Sequence, residues 1–220
     1  MAALTFRERP ADGEATGLLV LHHGRGADEQ DLLALADVLD PQRRLRVVTP
    51  RAPLSLGGPG YHWYVVPRVG YPDRDTFHAA YRALADFHDE LWQRTGIGPE
   101  RTVLGGFSMG SVMSYALGLG ADRPAPAGIL AFSGFVPVVD GWQPDLPSRQ
   151  AVRAFIAHGR RDPVMEVGFA RRARDVLASG GLHVDYHESD AGHHIDPAHI
   201  PAAIAWLDGA LAPRPPASVA

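Results

Sequence analysis

Gly106-Phe107-Ser108-Met109-Gly110 places a serine between two glycines, each two residues away. The apolar run Arg101–Gly105 precedes this pentapeptide and the apolar stretch Met109–Leu119 follows it. In a strand-to-helix turn of this kind the glycines permit a cramped backbone, and the serine hydroxyl projects above the sheet as a nucleophile. The amides and dipole of the helix behind it favour negative charge at the same point. Without that context the pentapeptide would be a glycine-rich turn with a helix-capping serine; the flanking strand and helix favour the nucleophile.

A serine hydroxyl is too weak an acid to attack unaided, so a general base must lie within hydrogen-bond reach and an acid must orient that base. On a sheet built this way the chain order is serine, acid, histidine. His158-Gly159-Arg160-Arg161-Asp162-Pro163 follows the strand-like run Val152–Ala157 and offers Asp162 as the acid. Asp190-Ala191-Gly192-His193-His194-Ile195 follows the run His183–His187 and offers His193 as the base. Two rivals stand beside them. His194 adjoins His193 but lacks a glycine directly before it, and Asp190 would have to fold back from only three residues away. The other histidines read as strand, turn or surface positions. They lack the helical H-E-x-x-H spacing of a zinc site, so no metal is expected.

His22-His23-Gly24-Arg25-Gly26-Ala27-Asp28 leaves another strand-like run, Gly17–His22. Its Gly24-x-Gly26 resembles the start of a dinucleotide fingerprint. Glu29 occupies the place of the third glycine, however, and the next strand ends without a ribose-binding acid. Beside a serine nucleophile the turn has a different use: the backbone N–H of Arg25 joins that of Met109 to receive an oxyanion.

Composition removes the competing chemistries. All 21 basic residues among the 220 are arginines, and there is neither lysine nor cysteine. That excludes disulfides, thiolate metal sites and thiol nucleophiles. It also excludes P-loop lysines, Schiff bases and Ser–Lys dyads. A net charge of −4 gives no reason to expect nucleic acid or an anionic membrane as partner. Arg43-Arg44-Arg46 and Arg171-Arg172-Arg174 read as solvated surface. No apolar run is long enough for a stable membrane insertion, and Met1–Pro10 does not build a signal-peptide core. A cytoplasmic protein is expected.

Short apolar runs alternating with amphipathic stretches predict an α/β fold, a mainly parallel sheet with helices on both faces. Strands are expected at Thr5–Arg9, Gly17–His22, Leu45–Thr49, Arg101–Gly105, Gly128–Phe132, Val152–Ala157 and His183–His187. Helices are expected at Ala27–Leu39, with Asp28 as cap, Asp75–Arg94, Met109–Leu119, Met165–Leu177 and Pro197–Leu211. Pro50–Pro72 is too long for a routine connection and reads as a functional loop. One domain over residues 1–212 accounts for this order, with a Pro-rich tail over 213–220 expected to be disordered.

His23-Gly24-x-Gly26, Gly106-x-Ser108-x-Gly110, His158-Gly159-x-x-Asp162 and Gly192-His193-x-Ile195, in that order from about Gly17 to Leu211, resemble the phospholipase/carboxylesterase family of small α/β-hydrolases, which includes acyl-protein thioesterases. The resemblance implies an α/β-hydrolase fold and a serine esterase or thioesterase. Ser108, Asp162 and His193 would be its triad, and Arg25 and Met109 its oxyanion amides. The segment from Pro53 to Val65 resembles the family's aromatic loop. The chain departs from acyl-protein thioesterases in having Met109 where Gln is usual, Arg25 where Leu is usual, and Val65 where Asp is common. These changes bear on substrate, with Arg25 making the pocket mouth more polar, and not on backbone amides.

Only about twenty residues separate the strands at Gly128–Phe132 and Val152–Ala157, so no cap domain and an open, shallow site are expected. Trp63, Tyr64 and Trp142, with Phe135, are candidates for lining it. The favoured function is hydrolysis of carboxylic esters with small or medium acyl chains, without a cofactor. A thioesterase or lysophospholipase with the same triad is the near variant, and a non-catalytic binding protein on this fold is the distinct one. The expected partner is a small-molecule ester or thioester, and the chain would be a monomer or homodimer.

Overall fold

The computed structural model describes residues 4–212; the tail expected over 213–220 lies outside the described residues. Seven strands form the main sheet. They are β1 (Phe6–Arg9), β2 (Gly17–His22), β3 (Leu45–Pro50), β6 (Thr102–Phe107), β7 (Gly128–Phe132), β8 (Arg153–Gly159) and β9 (His183–Ser189), in the spatial order β1-β3-β2-β6-β7-β8-β9. Only β1 runs antiparallel to its neighbour; every other pairing is parallel. β4 (Leu54–Ser55) and β5 (Tyr61–His62) form a separate small hairpin.

The apolar alternation of the strands divides the core in two. Leu18 and Val20 of β2 point to the face covered by α2 (Arg74–Thr95), α3 (Met109–Leu119) and α4 (Gly168–Ser179). Leu19 and Leu21 point to the face covered by α1 (Leu33–Leu39) and α5 (Ile200–Leu211). α2 is delimited by its own sequence: Asp73 accepts the Thr76 N–H at its start, and Gly96, at φ 66°, ends it in the left-handed conformation.

The chain builds β2 and β3 on one side, then crosses to place β6 on the other side of β2. Such a reversal opens a crevice at the carboxyl ends of the strands. The turns after β2 and β6 therefore meet there, and those after β8 and β9 lie farther along the same edge.

Three expected helices start later than their apolar spacing implied; the one expected at Pro197–Leu211 opens with a 3-10 turn at Pro197–His199 and becomes α5 only at Ile200. The Ala27–Leu39 helix begins only at Leu33. Ala27 pairs with Tyr61 of the hairpin, Asp28 folds back on the Gln30 N–H, and buried Glu29 is held by Arg51 at 2.5 and 2.7 Å. With those groups engaged the segment cannot wind, and Asp28 caps no helix. The Met165–Leu177 helix likewise starts late, at Gly168, after a turn in which Val164 and Met165 donate their N–H groups to Asp162. The long loop at 50–72 contains the β4–β5 hairpin.

Candidate active site

β6 ends at Phe107 and α3 begins at Met109, so Ser108 alone carries the reversal, at φ 56° and ψ −121°. Residues with a Cβ avoid this region unless their surroundings enforce it. Here the Ser108 N–H donates to the Phe132 carbonyl on β7 at 2.9 Å. Ser111, one turn into α3, adds a staple: its hydroxyl lies 2.6 Å from the Gly106 carbonyl, and it accepts the Phe132 N–H at 3.0 Å. The flanking glycines let the turn press against the end of β2. A Cβ on Gly110 would stand 1.9 Å from the His22 carbonyl oxygen, and one on Gly106 would stand 2.6 Å from the Gly110 carbonyl carbon.

Above this turn His193 Nε2 lies 2.9 Å from Ser108 Oγ, and His193 Nδ1 lies 2.7 Å from Asp162 Oδ2. A carboxylate can only accept, so Nδ1 carries the proton and Nε2 accepts from the serine hydroxyl. Phe107 supports the imidazole with its ring centroid 4.9 Å away. Asp162 is fully buried at its side chain and its other oxygen accepts the Val164 and Met165 N–H groups, both at 2.8 Å. Burial pushes the Asp162 carboxyl up, but the His193 bond and the two amides outweigh it and hold the carboxyl below the usual range. His158, also buried, reaches the Met165 carbonyl at 2.8 Å, and burial keeps it neutral against the pull of Asp162.

The rivals point elsewhere. Exposed Asp190 is paired with Arg160 at 2.7 Å, and exposed His194 faces solvent. Arg160 and Arg161 donate their backbone N–H groups to the Ser189 and Ala191 carbonyls, tying the Asp162 turn to the His193 loop.

The turn after β2 abuts the serine: a Cβ on Gly24 would lie 3.5 Å from Ser108 Cβ. Its backbone is pinned from three sides. His23 Nδ1 donates to the Gly24 carbonyl at 2.7 Å while its Nε2 accepts the Ala52 N–H at 3.0 Å. The Trp63 indole donates to the His23 carbonyl at 2.9 Å. Gly26 and Ala27 bond through their backbones to Tyr61 on β5. Among the described residues nothing accepts from the Arg25 or Met109 N–H. The bracing contacts of His23, Trp63 and Ser111 are marked in the sequence only by position: His23 opens the Gly24 motif, Trp63 lies inside the long loop, and Ser111 lies three residues past the serine.

A cavity of about 290 Å3 opens beside Ser108 and Met109, walled by Tyr64, Val66, Phe135 and Met165, with Arg25 and Arg68 also lining it. Tyr64 and Phe135 are thus where the sequence suggested. Trp63 and Trp142 are not among its walls. Trp63 is fully buried beneath the Gly24 turn, because its indole N–H is needed by the His23 carbonyl. Trp142, also expected to line the site, is buried edge-on against Phe77 and borders a separate hollow with His78 and Tyr81. Among the described residues no group of three or more His, Asp or Glu side chains is arranged to hold a metal ion. No described helix is long and apolar enough to cross a membrane.

A sequence profile described as phospholipase/carboxylesterase matches residues 8–210. The chain belongs to the phospholipase/carboxylesterase family. Its relatives in that family include acyl-protein thioesterase 1 of Yarrowia lipolytica, 25% identical over 90% of this chain and 94% of that protein. Esterase YpfH of Escherichia coli is 28% identical over 87% of this chain and 82% of its own length. Among solved structures, esterase PE8 superposes with a TM-score of 0.77 at 30% identity, over 94% of this chain and 99% of that one. Family membership makes the chain a hydrolase of the α/β-hydrolase fold. No cap domain interrupts it: β7 and β8 are joined by a loop whose one regular element is a 3-10 turn at Leu146–Arg149.

Proposed function

We propose that this protein hydrolyses carboxylic esters with small or medium acyl chains, using Ser108 as nucleophile, His193 as general base and acid, and Asp162 to orient His193. The reading is carried by one observation, the single imidazole that reaches Ser108 Oγ at 2.9 Å and Asp162 Oδ2 at 2.7 Å.

In the first half-reaction Ser108 Oγ attacks the ester carbonyl while its proton passes to His193 Nε2. Ionised Asp162 stabilises the resulting imidazolium without taking the proton. Negative charge gathers on the carbonyl oxygen, which the N–H groups of Arg25 and Met109 receive. His193 then protonates the leaving alkoxide, and the acyl group stays on Ser108. Water repeats the sequence, losing a proton to His193 and releasing the carboxylic acid. Because both oxyanion donors are backbone groups, arginine and methionine at these positions leave the chemistry intact.

The acyl chain fits the cavity beside Ser108, whose volume of about 290 Å3 is at the small end for ligand pockets. A thioester would use the same groups, and the likeness to an acyl-protein thioesterase favours keeping it as a second substrate class. Turnover of a p-nitrophenyl ester series of increasing chain length, alongside an acyl-CoA, with Ser108→Ala as control, tests the reading. Ser108-dependent hydrolysis peaking at short or medium esters is expected. A preference for acyl-CoA would make it a thioesterase, and no Ser108-dependent turnover of any substrate would make it a binding protein.

A further inference from the structure

The arginines of this chain are nearly all engaged. Most pair with a carboxylate, as Arg9 does with Asp40, Arg51 with Glu29, Arg123 with Asp89 and Arg171 with Glu188. Arg101, Arg149 and Arg153 hold backbone carbonyls instead. Among the described residues, the guanidinium groups of Arg25, Arg68, Arg82 and Arg172 have neither kind of partner. Their distribution is uneven. Arg25 and Arg68 line the cavity that contains Ser108, and Arg172 lines a second cavity of about 360 Å3 that shares Gly70, Tyr71 and Phe135 with the first.

No acidic side chain lines either cavity, although the protein as a whole carries a net charge of −4. The charge at this mouth is therefore opposite in sign to that of the molecule. Two of the three guanidinium groups are also held in place. Arg68 lies 3.7 Å above the ring of Tyr71, in a tight turn where the Tyr71 N–H donates to the Arg68 carbonyl at 3.0 Å and Gly70 takes φ 89°. Arg172 lies 4.9 Å from the ring of Phe169. Stacking fixes the plane of a guanidinium and leaves its edge N–H groups free, which is how arginine presents a fork to a carboxylate or phosphate.

We propose that the ester cleaved at Ser108 carries an anionic group, a carboxylate or phosphate, received at the cavity mouth by the side chains of Arg25 and Arg68 and attracted from the adjoining hollow by Arg172. This rests on the esterase reading and names its substrate class. A like-signed patch beside apolar walls concentrates anions and discriminates against neutral analogues, which leave the cations unpaired. The anion can sit on the acyl side or on the alcohol side of the scissile bond, and the same arginines would serve either.

The test compares kcat/KM within two matched pairs at low ionic strength. On the acyl side the pair is mono-p-nitrophenyl adipate against p-nitrophenyl hexanoate; on the alcohol side it is the butyrate esters of 4-hydroxybenzoate and 4-hydroxybenzamide. Charge-assisted contacts of this kind predict a preference of at least about tenfold for the anionic member of one pair, and which pair shows it identifies the side. The preference falls toward parity in Arg68→Gln and in Arg25→Gln, recovers in part in Arg68→Lys, and shrinks as salt is added. A ratio of one or less in both pairs overturns the proposal, as does a preference that Arg68→Gln leaves intact, while the esterase reading stands. Absence of Ser108-dependent turnover of all four esters overturns the esterase reading, and the proposal with it.

Discussion

Asp162 and His193 are 31 positions apart in the chain and 2.7 Å apart in space, because β8 and β9 are parallel neighbours that end side by side. The carboxylate is saturated: one oxygen takes two backbone amides and the other takes the imidazole. Asp162→Asn keeps the shape but turns an N–H toward Nδ1, so His193 must carry its proton on Nε2 and can no longer accept from Ser108. The expected outcome is a loss in kcat on the order of 10^4, with Tm little changed. A loss below about tenfold would remove Asp162 from the mechanism.

Trp63 acts through the turn it supports. Trp63→Phe removes the indole bond to the His23 carbonyl while filling most of the same space. Loosening the Arg25 amide should lower kcat about tenfold with little change in KM, since the donor serves the tetrahedral state more than bound substrate. Steady-state kinetics on one short ester checks this; a rise in KM at constant kcat would place Trp63 in substrate binding.

Gly110→Ala sets a methyl 1.9 Å from the His22 carbonyl oxygen, backbone against backbone, with nothing flexible to yield. We expect a loss of about 3 kcal/mol or more, seen as a Tm drop of roughly 6–12 °C. Gly168→Ala is the control, because a Cβ there meets nothing within 4 Å. Equal melting temperatures for the two variants would contradict the close approach of the serine turn to β2.

His88 is buried against His22, their Nε2 atoms 3.3 Å apart, and His22 also contacts Ser114 at 2.9 Å. Burial, and then the charge of Arg123, lower the His88 pKa to about 3; burial and the neighbouring histidines lower that of His22 as well. In the unfolded chain a histidine takes up its proton near pH 6.5. Below that pH the unfolded state binds protons that the folded state refuses, so stability falls as pH falls, by roughly 3 kcal/mol from His88 alone between pH 6.5 and 4. Tm against pH should decline through this window, and His88→Gln should flatten the decline by about one proton. An identical slope in the variant would show that His88 is not held neutral.

How much of this was legible in the sequence follows from what each signal measures. Ser108, Asp162 and His193 each lie in the turn that follows a strand, beside turn residues at short range, so the strand pattern alone brings them to one edge of the sheet. Local spacing left His194 and Asp190 open as rivals; in the structure an exposed position and the Arg160 pair account for them. Partners that the strand order does not bring together are illegible. Trp63 looked like a pocket wall because an aromatic in a long loop carries no mark of burial, yet a carbonyl 40 residues away claims its N–H. Trp142 likewise reads as a pocket wall, whereas the contact that buries it is with Phe77 on α2. The unwound start of α1 had the same origin, a buried Glu29 whose partner Arg51 lies 22 residues on.

The most direct test of the central claim is covalent labelling of the nucleophile. Wild-type protein incubated with a fluorophosphonate and digested should carry one phosphonyl group, on the peptide containing Ser108. The label should be absent in Ser108→Ala, and labelling should slow by about a thousandfold or more in His193→Ala, where the base is missing. Labelling at another residue, or a rate at Ser108 that His193→Ala leaves unchanged, would contradict the account.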